Sequence, residues 1–164
     1  MFDEMLAIKR FREQQAELAL LRQRQRRAEA EDKVETARVS LAKYQDWAQE
    51  HERALFRELC ERIVRPRDIQ DVLGKVAEMK LDESQYASAL EAARETLEQE
   101  IVTLGERREE HVQTVRMTGK FLELAQSHWD EMAQQESRKE DGALEEVASL
   151  LWERPDSDDN GDEA

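Results

Sequence analysis

Proline occurs twice in this chain of 164 residues, glycine five times and cysteine once, and aromatic residues make up only 5%. So few turn formers leave no means of building the frequent reversals of a β-sandwich or barrel. The shortage of aromatic and other bulky apolar side chains leaves too little material to wall a deep enzymatic pocket. Cys60, being alone, excludes a disulfide framework and a cysteine metal cluster, and a half-buried, inert thiol is expected there. The glycines are scattered and form no phosphate-cradling loop. His51, His111 and His128 share no metal-ligand spacing, and His51 and His111 fall where packing is the expected role. No apolar run reaches the 18 residues of a membrane span, and the opening MFDEMLAIKRFREQQ has no apolar core followed by a small-residue cleavage site. A cytosolic, soluble, non-enzymatic protein is expected, with no catalytic residue, no cofactor and no metal.

What is present is helical. Ala, Glu, Leu, Arg and Lys account for 88 of the 164 residues, the composition of a coiled coil or long helix. The formal net charge of −14 is unevenly spread. Residues 1–64 carry 13 basic and 13 acidic side chains, whereas 81–136 carry 5 against 13 and 137–164 carry 3 against 10. A neutral first half and an acidic second half offer no broad basic surface, so neither nucleic acid nor an anionic membrane is an expected partner.

With no Gly or Pro from Met1 to Arg65, the first stretch reads as one helix over about 2–64, on the order of 90 Å at ~1.5 Å per residue. Val34, Ala37, Leu41, Tyr44, Ala48, His51 and Leu55 alternate in steps of three and four, a heptad stripe. Nearer the start, Ile8, Phe11, Gln15, Leu18 and Leu21 make a weaker stripe, and residues 22–33 interrupt the seam. Pro66 ends the helix, and residues 65–82 form a bend holding a short helix with Ile69, Val72, Leu73 and Val76 on one face. Asp82 or Ser84 then caps a second long helix over about 83–136. Its stripe runs Tyr86, Leu90, Ala93, Leu97, Ile101, Leu104 and on to Met132, with one stutter between Leu97 and Ile101. Gly105 and Gly119 sit beside it in exposed helix.

Two helices of similar length joined by a short bend fold back on each other. The expected fold is all-α: a long antiparallel two-helix coiled-coil hairpin over 1–136, then an acidic, largely disordered tail over 137–164. Within the tail, Leu144, Val147, Leu150, Leu151 and Trp152 outline a short amphipathic helix over 143–152, suited to a partner's groove or to the open end of the hairpin.

Two groups of residues stand out. Arg22, Arg24, Arg26 and Arg27 point in different directions from a helix and are followed by Glu29, Glu31 and Asp32, so a solvated segment competes with a surface for an acidic protein. Tyr44, Trp47, Leu55 and Phe56 cannot all lie in one seam. Either they broaden the core near the bend with Ile69, Val72 and Leu73, or they form a docking patch.

The stretch from Tyr44 to Phe56 resembles the Y-x-x-W-x-x-E-x-x-x-x-L-F signature of the YscO family of type III secretion, through Tyr44, Trp47, Glu50, Leu55 and Phe56. The Ile8-Lys9-Arg10-Phe11-Arg12 start and the segment around Pro66, Arg67, Asp68 and Ile69 are similar to it as well, and the likeness covers roughly residues 1–135. The flagellar counterpart is FliJ. His51 stands where the pattern leads one to expect an acidic residue. The resemblance implies a stalk at the cytoplasmic base of an export apparatus, linking a hexameric secretion ATPase to the cytoplasmic ring of the export gate. Lys9, Arg10, Arg12, Arg22, Arg24, Arg26 and Arg27 would then face the ATPase. Tyr44, Trp47, Leu55, Phe56, Ile69 and Leu73 would face the gate. Secretion chaperones and a needle-length regulator are further partners it implies. Two other readings compete: a homodimeric coiled coil of open, parallel helices, and a chaperone or substrate-escort adaptor working through residues 144–152.

Overall fold

A computed structural model describes residues 1–152. It contains α1, Phe2–Cys60, and α2, Pro66–Trp152, and no strand among the described residues. The two pair with each other antiparallel, as a helical hairpin, so the first helix packs on the second within the same chain. α1 opens with Asp3 and Glu4 against the positive end of its dipole and closes with Arg57 in its last turn. Residues 61–65 make the turn. Pro66 is the first residue of α2, where its missing N–H costs nothing and its fixed φ suits the helix. Asp68 then reaches back, its carboxylate accepting the Arg65 N–H at 3.0 Å while its own N–H donates to the Arg65 carbonyl at 3.0 Å. The first bond is one half of a capping box, with Asp68 in place of the usual Glu or Gln, and the second is a backbone turn bond.

Three expectations about boundaries are corrected. α1 stops at Cys60 instead of about 64, because the chain must turn before Pro66. There is no separate helix in the bend and no new helix start near 83, since α2 is continuous from Pro66. Ser84 does not cap; its hydroxyl donates to the Leu81 carbonyl one turn back at 2.7 Å, and Asp82 instead accepts from the Tyr44 hydroxyl at 3.4 Å. With Val76, Met79 and Leu90 all buried against α1, tertiary packing holds the helix through these cap-type residues. Nor does α2 end at 136: it runs to Trp152, so residues 137–152 are helical and the amphipathic segment over 143–152 is the last part of α2. Residues 153–164 of the expected tail lie outside the described residues.

The chain forms two compact units. In the unit built from residues 11–114, the buried and half-buried positions of α1 step regularly through Glu13, Ala16, Leu20, Gln23, Arg27, Ala30, Val34, Ala37, Leu41, Tyr44, Ala48 and Leu55. On α2 they are Val72, Val76, Met79, Glu83, Leu90, Ala93, Leu97, Glu100, Leu104, His111 and Thr114. Both series follow a three-four alternation, with steps of seven where the intervening positions His51, Tyr86 and Arg107 are exposed. The stutter expected at Leu97 is therefore absent: the seam passes through Glu100, and Ile101 is exposed beside it. The weaker stripe is also displaced. Ile8, Phe11, Leu18 and Leu21 point to solvent, on the side of α1 away from the seam. The seam nearby runs instead through Ala16, Leu20 and Gln23.

The second unit joins residues 1–10 to α2 from Val115 onward. Leu6, Thr118 and Ala125 are buried there, Ala125 completely at 0% exposure. The Phe2 ring lies 5.8 Å from that of Phe121 and 4.6 Å from His128. A fully buried alanine marks a place where the two backbones come close, which a larger side chain would prevent.

Candidate functional site

Around the bend, α1 and α2 enclose a small apolar cluster of Leu55, Val72, Val76 and Met79, with Ala48 and Leu59 packed on it. Leu55, at 8% exposed, belongs to this cluster and is not available at the surface. Tyr44 sits one layer away, half-buried. Its hydroxyl donates toward the Met79 carbonyl at 3.2 Å, and its ring stacks on Tyr86 with centroids 4.8 Å apart. Trp47 lies 5.6 Å from Tyr44 and stacks on His51 at 4.8 Å, nearly parallel at 11°. The seam role expected of His51 is thus replaced by an exposed position against an exposed indole. Gln45 adds a cross-helix hydrogen bond to Glu83 at 2.9 Å.

Trp47, Phe56, Ile69 and Leu73 are all exposed, as is Ile63 in the turn. They do not form one patch. Trp47 and Phe56 are nine residues apart on a continuous helix, about half a revolution, and so lie on opposite sides of α1. Phe56 makes no ring contact among the described residues. In heptad terms Phe56 and Leu73 share one flank of the antiparallel pair with Ile69 near it, and Trp47 occupies the other flank. The two sequence readings of this group therefore apply to different members: Leu55 and Tyr44 pack between the helices, while Trp47, Phe56, Ile69 and Leu73 present apolar surface.

Burial of the Tyr44 phenol, and secondarily the negative charge of Asp82, raise its pKa above the ordinary value. A raised folded-state value favours the protonated form, so this stabilising contribution is fully present below the unfolded pKa of about 10 and is lost as pH rises through the higher folded value. Tyr44→Phe keeps the ring stack and removes the titrating group. Its stability, followed by thermal melts, is expected to be less sensitive to pH above about 10 than that of the parent chain.

The basic residues do not converge either. Arg10, Arg12, Arg22, Arg24 and Arg26 are exposed, while Lys9 and Arg27 are half-buried. Arg27 pairs with Glu31 at 3.1 Å along the helix. Spread round α1, they make a charged surround instead of one basic face. Cys60 is exposed, not half-buried, because it falls in the last residue of α1. Among the described residues no group of His, Cys, Asp and Glu could hold a metal ion, and no helix is long and apolar enough to cross a membrane. The surface depressions are open grooves along helix faces, such as the one lined by Tyr44, Asp82, Gln85, Tyr86 and Ala89.

The inter-helix contact that the composition gives no hint of is polar. Gln23 is 3% exposed, and its side-chain amide donates to the Glu100 backbone carbonyl at 3.1 Å and to the Glu100 carboxylate. The signal lay in extending the stripe of residues 34–55 backward without regard to polarity: steps of four and three from Val34 reach Ala30, Arg27 and Gln23.

Comparison with known proteins places this arrangement. A family model described as "Type III secretion protein YscO" matches residues 2–150. Among solved structures, the chain is similar to the type III secretion protein YscO from Vibrio parahaemolyticus, with a TM-score of 0.85 and 27% identity, over 89% of this chain and 92% of that one. A search of curated protein sequences finds no match.

Proposed function

We infer that this chain, which belongs to the YscO family of type III secretion proteins, is the non-enzymatic stalk that couples the hexameric secretion ATPase of an export apparatus to its export gate. The observation that carries the reading is the family match across residues 2–150, joined to a hairpin of the same fold. The surface chemistry supports it. A coupling part needs stiff helices and exposed anchors at defined points, and it has no need of an enclosed pocket. Trp47, Phe56, Ile63, Ile69 and Leu73 supply exposed apolar anchors near the turn, of the kind that concentrates binding energy at interfaces. They are assigned to the gate and to secretion chaperones or a needle-length regulator escorted to it. The basic residues from Lys9 to Arg27 are assigned to the ATPase, where unpaired arginines can meet carboxylates in two-pronged contacts. The site of action is the cytoplasmic base of the apparatus.

Purified full-length chain is expected to capture both the cognate ATPase and the cytoplasmic domain of the gate in a pull-down. Trp47→Ala and the pair Ile69→Ala/Leu73→Ala are expected to lose the gate while keeping helicity by circular dichroism, because these side chains are exposed. Capture of neither protein by the unaltered chain sinks the reading.

A further inference from the structure

The stalk reading assigns the arginines of the first helix to the ATPase but gives no task to the apolar side chains beside them, nor to a second apolar surface that the hairpin leaves uncovered. The first is the outer face of α1 over residues 11–22. Phe11, at 61% exposed, and Leu18 and Leu21 turn to solvent away from the seam. They recur at helical spacing, which scattered surface residues do not. Around them, residues 11–27 carry five arginines against Glu13 and Glu17. Among the described residues Arg12, Arg22, Arg24 and Arg26 have no ion-pair partner, and only Arg27 is paired, with Glu31.

The second is the last stretch of α2. Every residue from 126 to 152 is exposed, and past the ring contact of Phe2 with His128 no residue of this stretch is buried against another part of the described chain. Leu144, Val147, Leu150, Leu151 and Trp152 are bare, Leu151 at 70%. Leu144, Val147 and Leu151 fall at i, i+3 and i+7, one face of the helix. The charge here has the opposite sign. Residues 140–152 hold Glu140, Asp141, Glu145 and Glu146 and no basic residue, and none of the four acidic groups is paired among the described residues. A solitary helix in water draws little stability from propensity alone; packing of an apolar face is what ordinarily holds one.

We propose that residues 140–152 of one chain dock along the outer face of α1, at Phe11, Leu18, Leu21 and Arg22, of a second copy. Each surface supplies what the other lacks: a short leucine-rich ridge against a short apolar stripe, and four unpaired carboxylates against unpaired arginines. Opposite charge of this kind steers the encounter and sets the partner, and the apolar stripe holds it once made. The contact is small, below the size of a permanent dimer interface. It is therefore expected to be reversible, concentration-dependent and weakened by salt.

Sedimentation velocity of the full-length chain, over a range of concentration and at low and high salt, tests it. Association that rises with concentration and falls with salt is expected. Leu18→Glu and Leu151→Glu, both at exposed positions and so harmless to the fold, are each expected to weaken it at least about tenfold, about 1.4 kcal/mol. The charge-reversed chains Arg12→Glu/Arg22→Glu and Glu145→Arg/Glu146→Arg should each stay monomeric alone and associate when mixed. A chain that is monomeric throughout overturns the proposal, and so does association that survives either leucine change or fails to return on mixing. If Leu18→Glu abolishes ATPase capture while self-association is untouched, the face belongs to the ATPase and the proposal is again overturned. Since the pull-down with ATPase and gate reads different molecules, failure of the stalk reading and failure of this contact are separately visible.

Discussion

Leu55→Ala is expected to cost the hairpin about 2–3 kcal/mol, the largest loss from any truncation near the bend. Leu55 contacts a cluster with only Val72, Val76 and Met79 as buried members. A two-helix seam has a single layer of core, so no second layer compensates for the lost packing. The same thinness lets the helices close partly on the gap, which sets the expectation at the lower end of the range for buried leucines. Equilibrium urea unfolding monitored by far-UV circular dichroism gives the value. Trp47→Ala and Phe56→Ala, measured alongside, are expected to stay within about 1 kcal/mol of the parent, because both side chains are substantially exposed. A loss at Trp47 or Phe56 as large as that at Leu55 would put them in the core and remove the reason to treat them as docking residues.

Gln23→Ala is expected to destabilise by about 1–3 kcal/mol, although it removes no large apolar group. Gln23 is buried in the seam and donates across to the Glu100 carbonyl and carboxylate. Deleting the donor leaves the half-buried Glu100 carboxylate without its cross-helix partner, and that desolvation penalty is the main loss. The double change Gln23→Leu/Glu100→Leu is expected to recover that stability, since a matched apolar pair replaces a matched polar one. A buried polar contact at this point of the seam also distinguishes one helix register from its neighbours, one heptad away. The double variant should therefore melt at or above the parent temperature. If the single change proves neutral, water reaches the pair and its burial is not what holds it.

These two residues show how far the amino-acid order could be read directly. Leu55 was legible, because it ends a stripe of apolar residues from Val34 onward whose spacing admits one interpretation. Gln23 was not, because apolar periodicity cannot register a seam position filled by a polar side chain. The same blindness produced the stutter at Leu97: with Glu100 passed over, Ile101 became the nearest apolar residue and the phase seemed to slip. It also drew the early stripe to Ile8, Phe11 and Leu18, which are the larger apolar residues there but lie opposite the seam. On the bend side, Asp82 and Ser84 looked like caps because isolated propensity favours them there, and the buried run of Val76, Met79 and Leu90 overrode it.

The sequence by itself determined the all-helical class, the turn ahead of Pro66, the antiparallel hairpin and the family. Each follows from local chemistry: strong helix formers, a proline that stops one helix and starts the next, and a short recognisable run from Tyr44 to Phe56. Only the tertiary structure decided which side of α1 is inside, where the polar layer lies, and which members of the aromatic group are surface. The physical reason is that a helix with apolar residues on more than one side has no preferred face of its own. The choice is made by the partner helix, whose positions from Val72 to Thr114 select the α1 residues they can pack or hydrogen-bond against.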